Sequence, residues 1–182
     1  DLRMSRGLGD VYKRQVLALS GCATKSAANK GNTAGSTIKI GVNMELSGAV
    51  AGYGEQEKQG VELAVKQINA AGGIKVGNSK KKITAIYRDN KSSTSGAASV
   101  AAQLANSDKA VAIVGPATTN DGTASIPNVT KAGVPMVGPS ATDPNFTLQK
   151  NGSVQKYVFR ACFTDAFQGE KAAVFANDTL KA

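Results

Sequence analysis

The sequence has 182 residues, of which 41% are hydrophobic, 22 are Lys or Arg and 13 are Asp or Glu; its net charge is +9 and it contains no histidine. The missing histidine excludes Ser-His-Asp and Cys-His catalysis, together with zinc sites that need imidazole. Two cysteines are too few for a disulfide framework, and no run of 18 apolar residues is present that would cross a membrane as a helix.

The start of the chain is predicted to lie outside the folded domain. Residues 1–15, DLRMSRGLGDVYKRQ, look like a non-native leader, with an ordinary basic signal start as the alternative. Residues 16–37 contain a short apolar run, the lipobox Leu19-Ser20-Gly21-Cys22 and a polar tether rich in Ala, Ser and Thr. A diacylglycerol on the thiol of Cys22 would hold the protein on a membrane.

Strand and helix patterns alternate from residue 38 onward. Strands are predicted at 38–42, 83–87, 111–114, 134–137 and 157–160. Helices are predicted around 61–68, from a Ser95 cap to 104, at 121–131, where Pro127 breaks or starts the helix, and at 170–180 after a Thr164 or Asp165 cap. The alternation predicts an α/β domain over 38–182, a parallel sheet flanked by helices, with ligands beyond the carboxyl ends of the strands.

The positive charge does not indicate a nucleic-acid surface. The one tight basic run after the leader is Lys80-Lys81-Lys82, which has no interleaved aromatic residues for base stacking. We interpret it as a polar turn before a strand. The remaining basic excess suits a protein tethered at an anionic membrane better than one bound to nucleic acid.

The loops at the predicted strand ends are rich in glycine and hydroxyl groups. The hydroxyls are those of Ser47, Thr118, Thr119, Ser140, Thr142 and Thr164. Together with backbone N–H groups at helix starts, they favour a small anion such as a carboxylate. A phosphate cradle is not supported, because neither G-x-G-x-x-G nor Gly-Lys-Ser/Thr occurs.

For the other residues whose side chains could take part in catalysis or metal binding, we favour structural roles. Four aspartates near strand ends are expected to cap helices or turns, with a metal or acid–base site as the alternative: Asp89, Asp121, Asp143 and Asp165. Cys162 lacks a histidine or cysteine partner and is interpreted as a small buried apolar residue. Arg160 is interpreted as a surface or lobe-edge cation.

An ordered set of motifs covers nearly all of residues 38–182. It consists of Ile38-Lys39-Ile40-Gly41-Val42, Leu46-Ser47-Gly48, Tyr53-Gly54, Gly60-Val61-Glu62-Leu63-Ala64, Ile68-Asn69-Ala70-Ala71-Gly72-Gly73-Ile74, Tyr87-Arg88-Asp89, Val114-Gly115-Pro116, Gly133-Val134-Pro135, Pro139-Ser140-Ala141-Thr142-Asp143-Pro144 and Phe159-Arg160. In this order the motifs resemble the opening of type I periplasmic binding proteins. They are most similar to the leucine/isoleucine/valine-binding components of ABC transporters.

The resemblance implies a ligand site at seven positions: Tyr53, Ala117, Thr118, Thr119, Ser140, Ala141 and Thr142. It implies that Thr119 binds the ligand carboxylate, that Ser140 contributes backbone groups, and that Thr142 bridges carboxylate and ammonium. Tyr53 would line the side-chain pocket, and Ala117 and Thr118 would form its floor. The family's second lobe closes over the ligand by a hinge and supplies the acidic group for the ammonium.

The resemblance therefore implies the N-terminal lobe of an extracytoplasmic, lipid-anchored substrate-binding protein. Such a protein is a monomer without cofactor, metal or nucleic acid, and it delivers an amino acid, branched-chain in this case, to an ABC permease. Thr118 is polar where a leucine pocket tends to be apolar, so small, hydroxylated or non-amino-acid ligands remain open. A ligand-sensing receptor domain of the same fold is the alternative function. A Rossmann-type enzyme is disfavoured, because the dinucleotide fingerprint is missing.

Overall fold

The computed structural model describes residue 35 and residues 37–181. Its strands are β1 (Thr37–Met44), β2 (Ile74–Val76), β3 (Ser79–Asp89), β4 (Ala112–Val114), β5 (Met136–Gly138) and β6 (Val158–Arg160). Its helices are α1 (Ala51–Ala70), α2 (Thr94–Asn106), α3 (Thr119–Ala132) and α4 (Asp165–Phe175), with a 3-10 turn at Pro144–Thr147 and a π-helical turn at Ala176–Leu180. The leader, the lipobox and the tether up to residue 34 lie outside the described residues, whereas Thr37, predicted to be the last residue of the tether, is the first residue of β1.

The six strands form one sheet in the order β2-β3-β1-β4-β5-β6. Strands β3, β1, β4, β5 and β6 run parallel, as the alternating pattern predicts. The edge strand β2 is antiparallel to β3 and was not predicted. Because β3 begins at Ser79, the three lysines at 80–82 lie within a strand rather than in a turn, so that interpretation was wrong.

The core lies between the sheet and the helices α2 and α3. Ile113 and Met136, from β4 and β5, are fully buried against Leu104 and Val129 of these helices. Continuous apolar strands of this kind are typical of a parallel sheet whose faces are covered. The core therefore fixes the positions of β4 and β5, whose carboxyl ends carry most of the predicted ligand residues.

The helix starts were predicted in part. Ser93, not Ser95, caps α2 by accepting a hydrogen bond from the Gly96 N–H at 3.1 Å, because Ser93 has the extended backbone that a cap needs. Thr164 caps α4, which confirms one of the two predicted candidates. Pro127 neither breaks nor starts α3. Proline has no N–H to donate to the carbonyl of Thr123, four residues earlier, but both residues lie on the exposed side of the helix, where solvent can bind that carbonyl.

Helix α1 is less closely packed than its pattern predicts. Its apolar residues face the sheet, but they line an open groove of about 540 Å³ together with sheet residues such as Ile40 and Ile83. The helix touches the strand layer most closely at Gly54, where it packs on the backbone of Glu45. Direct contact thus sets the position of α1 relative to the sheet at both ends: at Gly54, and at Asn69, whose side chain donates to the carbonyl of Ile83 at 2.9 Å and accepts its N–H at 2.7 Å.

Candidate functional site

One cavity of about 580 Å³ lies beyond the carboxyl ends of the parallel strands, and we call it the binding cavity. Its lining residues are Tyr53, Ala117, Thr118, Thr119, Ser140, Thr142, Cys162, Phe163, Asp165 and Gln168. Six of the seven predicted ligand residues are therefore brought together at the predicted edge of the sheet. The seventh, Ala141, is fully buried and lies behind the lining.

Glu45 holds two residues of the cavity lining, Ala117 and Thr118, although sequence reasoning did not identify it. Its side chain is fully buried just beyond β1. One carboxylate oxygen accepts the Ala117 N–H at 3.0 Å, and the other accepts both the N–H and the hydroxyl of Thr118, at 3.1 and 3.0 Å. The available signal was an acidic residue between two apolar residues, Met44 and Leu46, at the end of a strand.

A second buried carboxyl, that of Asp121, lies beside Glu45 in the first turn of α3. The prediction that Asp121 caps a helix or turn is wrong, because Thr118 holds the cap position of α3 and accepts the Asp121 N–H at 3.4 Å. Burial raises the pKa of Asp121 to about 6, and a hydrogen bond to Glu45 and the charge of Glu45 add to the shift. Asp121 therefore holds a proton beside Glu45 under mildly acidic conditions.

The raised pKa of Asp121 predicts a pH-dependent stability. The folded state binds this proton more tightly than the unfolded chain, in which the pKa of the aspartate is near 3.8. The stabilisation of the fold by the protonated Asp121 is therefore complete below about pH 4 and is lost as the pH rises to about 6. We expect the free energy of unfolding of Asp121→Asn, relative to the natural protein, to increase by about 1–2 kcal/mol across this range, after allowance for solvent screening.

Denaturant unfolding of both proteins between pH 4 and pH 7 measures this difference, and a pH-independent difference would contradict it. Asp89→Asn is the control, because its free energy of unfolding relative to the natural protein is expected to change with pH in the opposite direction. Burial raises the pKa of Asp89, but hydrogen bonds from Ser47 and from the N–H groups of Lys91 and Leu46 outweigh it and lower the pKa overall. Asp89 therefore stabilises the fold above its unfolded pKa and loses that effect as the pH falls.

The four hydroxyl groups of the threonines and serine in the cavity lining differ in their availability. Thr118 donates to Glu45, and Ser140 donates to Glu57 of α1 at 2.5 Å. The Thr119 oxygen accepts the Asp143 N–H at 3.4 Å, which leaves its proton free to be donated. Among the described residues, the Thr142 hydroxyl has no hydrogen-bond partner. The groups open to a ligand are thus those of Thr119 and Thr142.

The remaining predicted hydroxyls have structural roles. Ser47 donates to Asp89 at 2.6 Å, and Thr164 accepts the Phe167 N–H as the cap of α4. Asp89 also accepts the N–H groups of Leu46 and Ser47, so it holds the loop after β1. Neither hydroxyl lines the binding cavity.

Arg160 ties the loop after β5 to the end of β6. Its guanidinium donates to the carbonyl of Asp143 at 2.5 Å and to that of Ala141 at 3.4 Å. Asp143 itself accepts the Asn145 N–H at 2.8 Å, which confirms its predicted capping role. The Thr142 carbonyl accepts the Asp165 N–H at 3.0 Å, so Thr142 is held from the α4 side as well.

The segment after β6 contributes cavity residues that were not predicted as ligand contacts. Cys162 was expected to be a buried core residue, but it is only half-buried and lines the cavity, because the chain leaves the sheet after Arg160. Phe163 also lines the cavity and is 51% exposed. Asp165 does not cap α4, and it is the one carboxylate among the lining residues. The signal was their place directly after a predicted strand.

Within residues 37–181, no cluster of acidic or cysteine side chains has the arrangement of a metal site. In the same part of the chain, no helix is both long and apolar enough to cross a membrane. The cavity instead combines two available hydroxyls, a carboxylate and the exposed ring of Tyr53. A parallel α/β lobe with a cavity at its strand ends has the arrangement in which open α/β sheets bind small ligands.

Comparison with known proteins identifies the family of this lobe. A family model described as periplasmic binding protein matches residues 37–181, and the chain belongs to this family. It is 34% identical over 163 residues to the Leu/Ile/Val-binding protein homolog 3 of Brucella melitensis, covering 90% of this chain and 41% of that protein. It is 31% identical to an amino acid binding protein of Pseudomonas aeruginosa, covering 94% and 43%.

Solved structures agree with these relatives. The branched-chain amino acid transporter substrate binding protein LivJ from Streptococcus pneumoniae, in complex with isoleucine, matches with 46% identity and a TM-score of 0.71, over 80% of this chain and 39% of that one. The leucine binding protein LivK from Thermotoga maritima matches with 30% identity and a TM-score of 0.66, over 80% and 38%. The fold is therefore that of a type I periplasmic binding protein, as predicted.

The chain spans about two fifths of the length of the relatives it matches. The family is one of extracytoplasmic solute-binding proteins rather than of enzymes. Because the chain spans only part of a family member, solute binding by this chain, the solute and the transporter are proposals.

Proposed function

We propose that the protein is the substrate-binding component of an ABC transporter that captures a branched-chain amino acid, such as leucine, isoleucine or valine, and delivers it to the membrane permease. The observation that carries the proposal is the pairing, in one cavity, of the available Thr119 and Thr142 hydroxyls with the carboxylate of Asp165 and exposed aromatic rings. These are the groups that a zwitterion with an apolar side chain requires.

The ligand carboxylate is bound by the donors at Thr119 and Thr142. Thr119 is the first residue of α3, where backbone N–H groups have no acceptor within the helix, so it offers an N–H beside its hydroxyl. The positive end of the α3 dipole adds to the attraction. Neutral donors of this kind stabilise a carboxylate without burying a second full charge.

The ammonium group and the side chain of the ligand find complementary groups in the same cavity. Asp165 lines the cavity. In this proposal it accepts a hydrogen bond from the ammonium, beside an acidic group from the second lobe. The rings of Tyr53 and Phe163 are 63% and 51% exposed, so they offer apolar surface for an aliphatic side chain. Burying that surface under a ligand and a closing lobe contributes favourable free energy.

The same proposal covers the parts of the chain that the structure does not describe. Residues 1–15 are assigned to a non-native leader and residues 16–37 to a signal remnant, lipobox and tether, with Cys22 as the lipidated residue. Residues 38–182 form the N-terminal lobe, and the protein acts as a monomer. Labelling of the protein with a radioactive fatty acid in cells, and its loss in Cys22→Ala, tests the lipid anchor.

Isothermal titration of the complete natural protein with a panel of amino acids tests the ligand assignment. We expect saturable heat with leucine, isoleucine or valine at one ligand per protein. Aspartate, lysine and phenylalanine serve as controls that differ in charge or size and are expected to give no saturable heat. Binding of none of the aliphatic amino acids would contradict the proposal.

A further inference from the structure

We propose that Glu45 is a positioning residue that determines ligand specificity: by accepting the hydroxyl of Thr118 it withdraws that hydroxyl from the ligand and makes the cavity floor select an aliphatic over a hydroxylated side chain. This inference rests on the proposed function and deepens it. It also answers the question raised by the polar Thr118 in a position where a pocket for leucine tends to be apolar.

The one proton that the Thr118 hydroxyl can donate is already used within the protein. A hydroxyl has one proton to donate, and Thr118 donates it to Glu45 over 3.0 Å. The same oxygen accepts the N–H of Asp121 at 3.4 Å. A ligand at the floor therefore meets a hydroxyl whose proton points to Glu45 rather than to the ligand.

The carboxylate is held firmly enough to impose this arrangement. Besides the Thr118 hydroxyl, Glu45 accepts the N–H groups of Ala117 and Thr118, at 3.0 and 3.1 Å. On the α1 side the backbone of Glu45 packs directly on Gly54. A buried carboxylate with several donors has little freedom to rotate, so the Thr118 rotamer is fixed with it.

For specificity, the arrangement predicts different affinities for two ligands of nearly equal shape. Valine and threonine are nearly isosteric and differ in one methyl against one hydroxyl. Because the proton of Thr118 is already donated to Glu45, the oxygen of a threonine ligand finds no donor in that hydroxyl and loses the hydrogen bonds that it accepted from water, whereas valine loses none. The arrangement therefore favours valine, and the preference depends on Glu45 acting through Thr118.

Titration of the complete protein with valine and with threonine tests this inference through the ratio of the two dissociation constants. In Glu45→Met the Thr118 hydroxyl has no carboxylate to bind, and we expect the preference for valine to fall about tenfold, the value of one hydrogen bond. In Thr118→Val, which removes the hydroxyl at constant shape, we expect the preference to stay within about twofold of the natural protein. The double variant should regain the natural ratio, which a general loosening of the fold would not produce.

The outcomes are distinguishable from one another. If the natural protein binds neither amino acid nor any other aliphatic one, the proposed function and this inference both fall. If it binds valine but Glu45→Met leaves the ratio unchanged, or Thr118→Val alone lowers the preference tenfold, only the inference is overturned. Should Glu45→Met not fold, Thr118→Val decides, because a hydroxyl that served the ligand would change the ratio on its removal.

Discussion

Replacing Gly54 with alanine is expected to destabilise the protein by about 3 kcal/mol, the cost of inserting a methyl group where there is no room. A Cβ at this position would stand 2.2 Å from the carbonyl oxygen of Glu45 and 2.6 Å from its carbonyl carbon. Both neighbours are backbone atoms, so α1 itself would have to move away from the strand end. That shift would also displace Tyr53, the adjacent residue in the cavity lining.

The matched control is Gly52→Ala, in the same turn of α1. No atom lies within 4 Å of a Cβ at Gly52, and alanine is favoured over glycine in a helix by up to about 1 kcal/mol. Thermal unfolding of the complete protein checks the pair: Gly54→Ala should lower Tm by roughly 5 °C or more, and Gly52→Ala should leave it equal or slightly higher. Equal Tm values for the two variants would show that the contact with Glu45 does not hold α1.

Replacing Thr142 with alanine is expected to weaken the binding of leucine about 5- to 150-fold, or about 1–3 kcal/mol. The reason is that, within the described residues, its hydroxyl has no protein partner, so a bound zwitterion is the group that it serves. The Thr142 carbonyl accepts the Asp165 N–H, and this backbone contact is independent of the side chain. The loop should therefore keep its shape in the variant.

Thr142→Ser is the control, because it keeps the hydroxyl and removes only a methyl group. Isothermal titration with leucine should give an affinity within about threefold of the natural protein for serine and the large loss for alanine. If alanine and serine behave alike, the methyl group and not the hydroxyl matters, and the assigned role of Thr142 is wrong.

The parallel part of the fold was predictable because its residues carry unambiguous patterns. The apolar run around Ile113 indicates a buried parallel strand, and the spacing from Ala97 to Leu104 predicts a helix over it; both are observed. The β2–β3 hairpin was missed because Ile74, Lys75 and Val76 are few and exposed, so no hydrophobic period marks the strand. Its turn at Gly77-Asn78 was the one local signal.

The sequence predicted which loops form the site, but it did not predict which hydrogen bonds their side chains make. Sheet topology alone brings the segments around Thr119 and Thr142 to one edge. Which hydroxyls remain available depends on Glu45 and Glu57, whose distances from their partners in sequence are 73 and 83 residues. Such contacts follow from the packed fold, and no local pattern encodes them. The same holds for the raised pKa of Asp121, which depends on its burial beside Glu45.

We propose that the binding cavity recognises an α-amino acid with an aliphatic side chain. Isothermal titration of the complete protein with leucine, and with 4-methylpentanoate and 3-methylbutylamine, tests it most directly, because the two analogues lack the ammonium and the carboxylate respectively. The arrangement of Thr119, Thr142 and Asp165 predicts saturable binding of leucine and at least tenfold weaker binding of each analogue. No binding of leucine, isoleucine or valine, or equal affinity for leucine and both analogues, would contradict the claim.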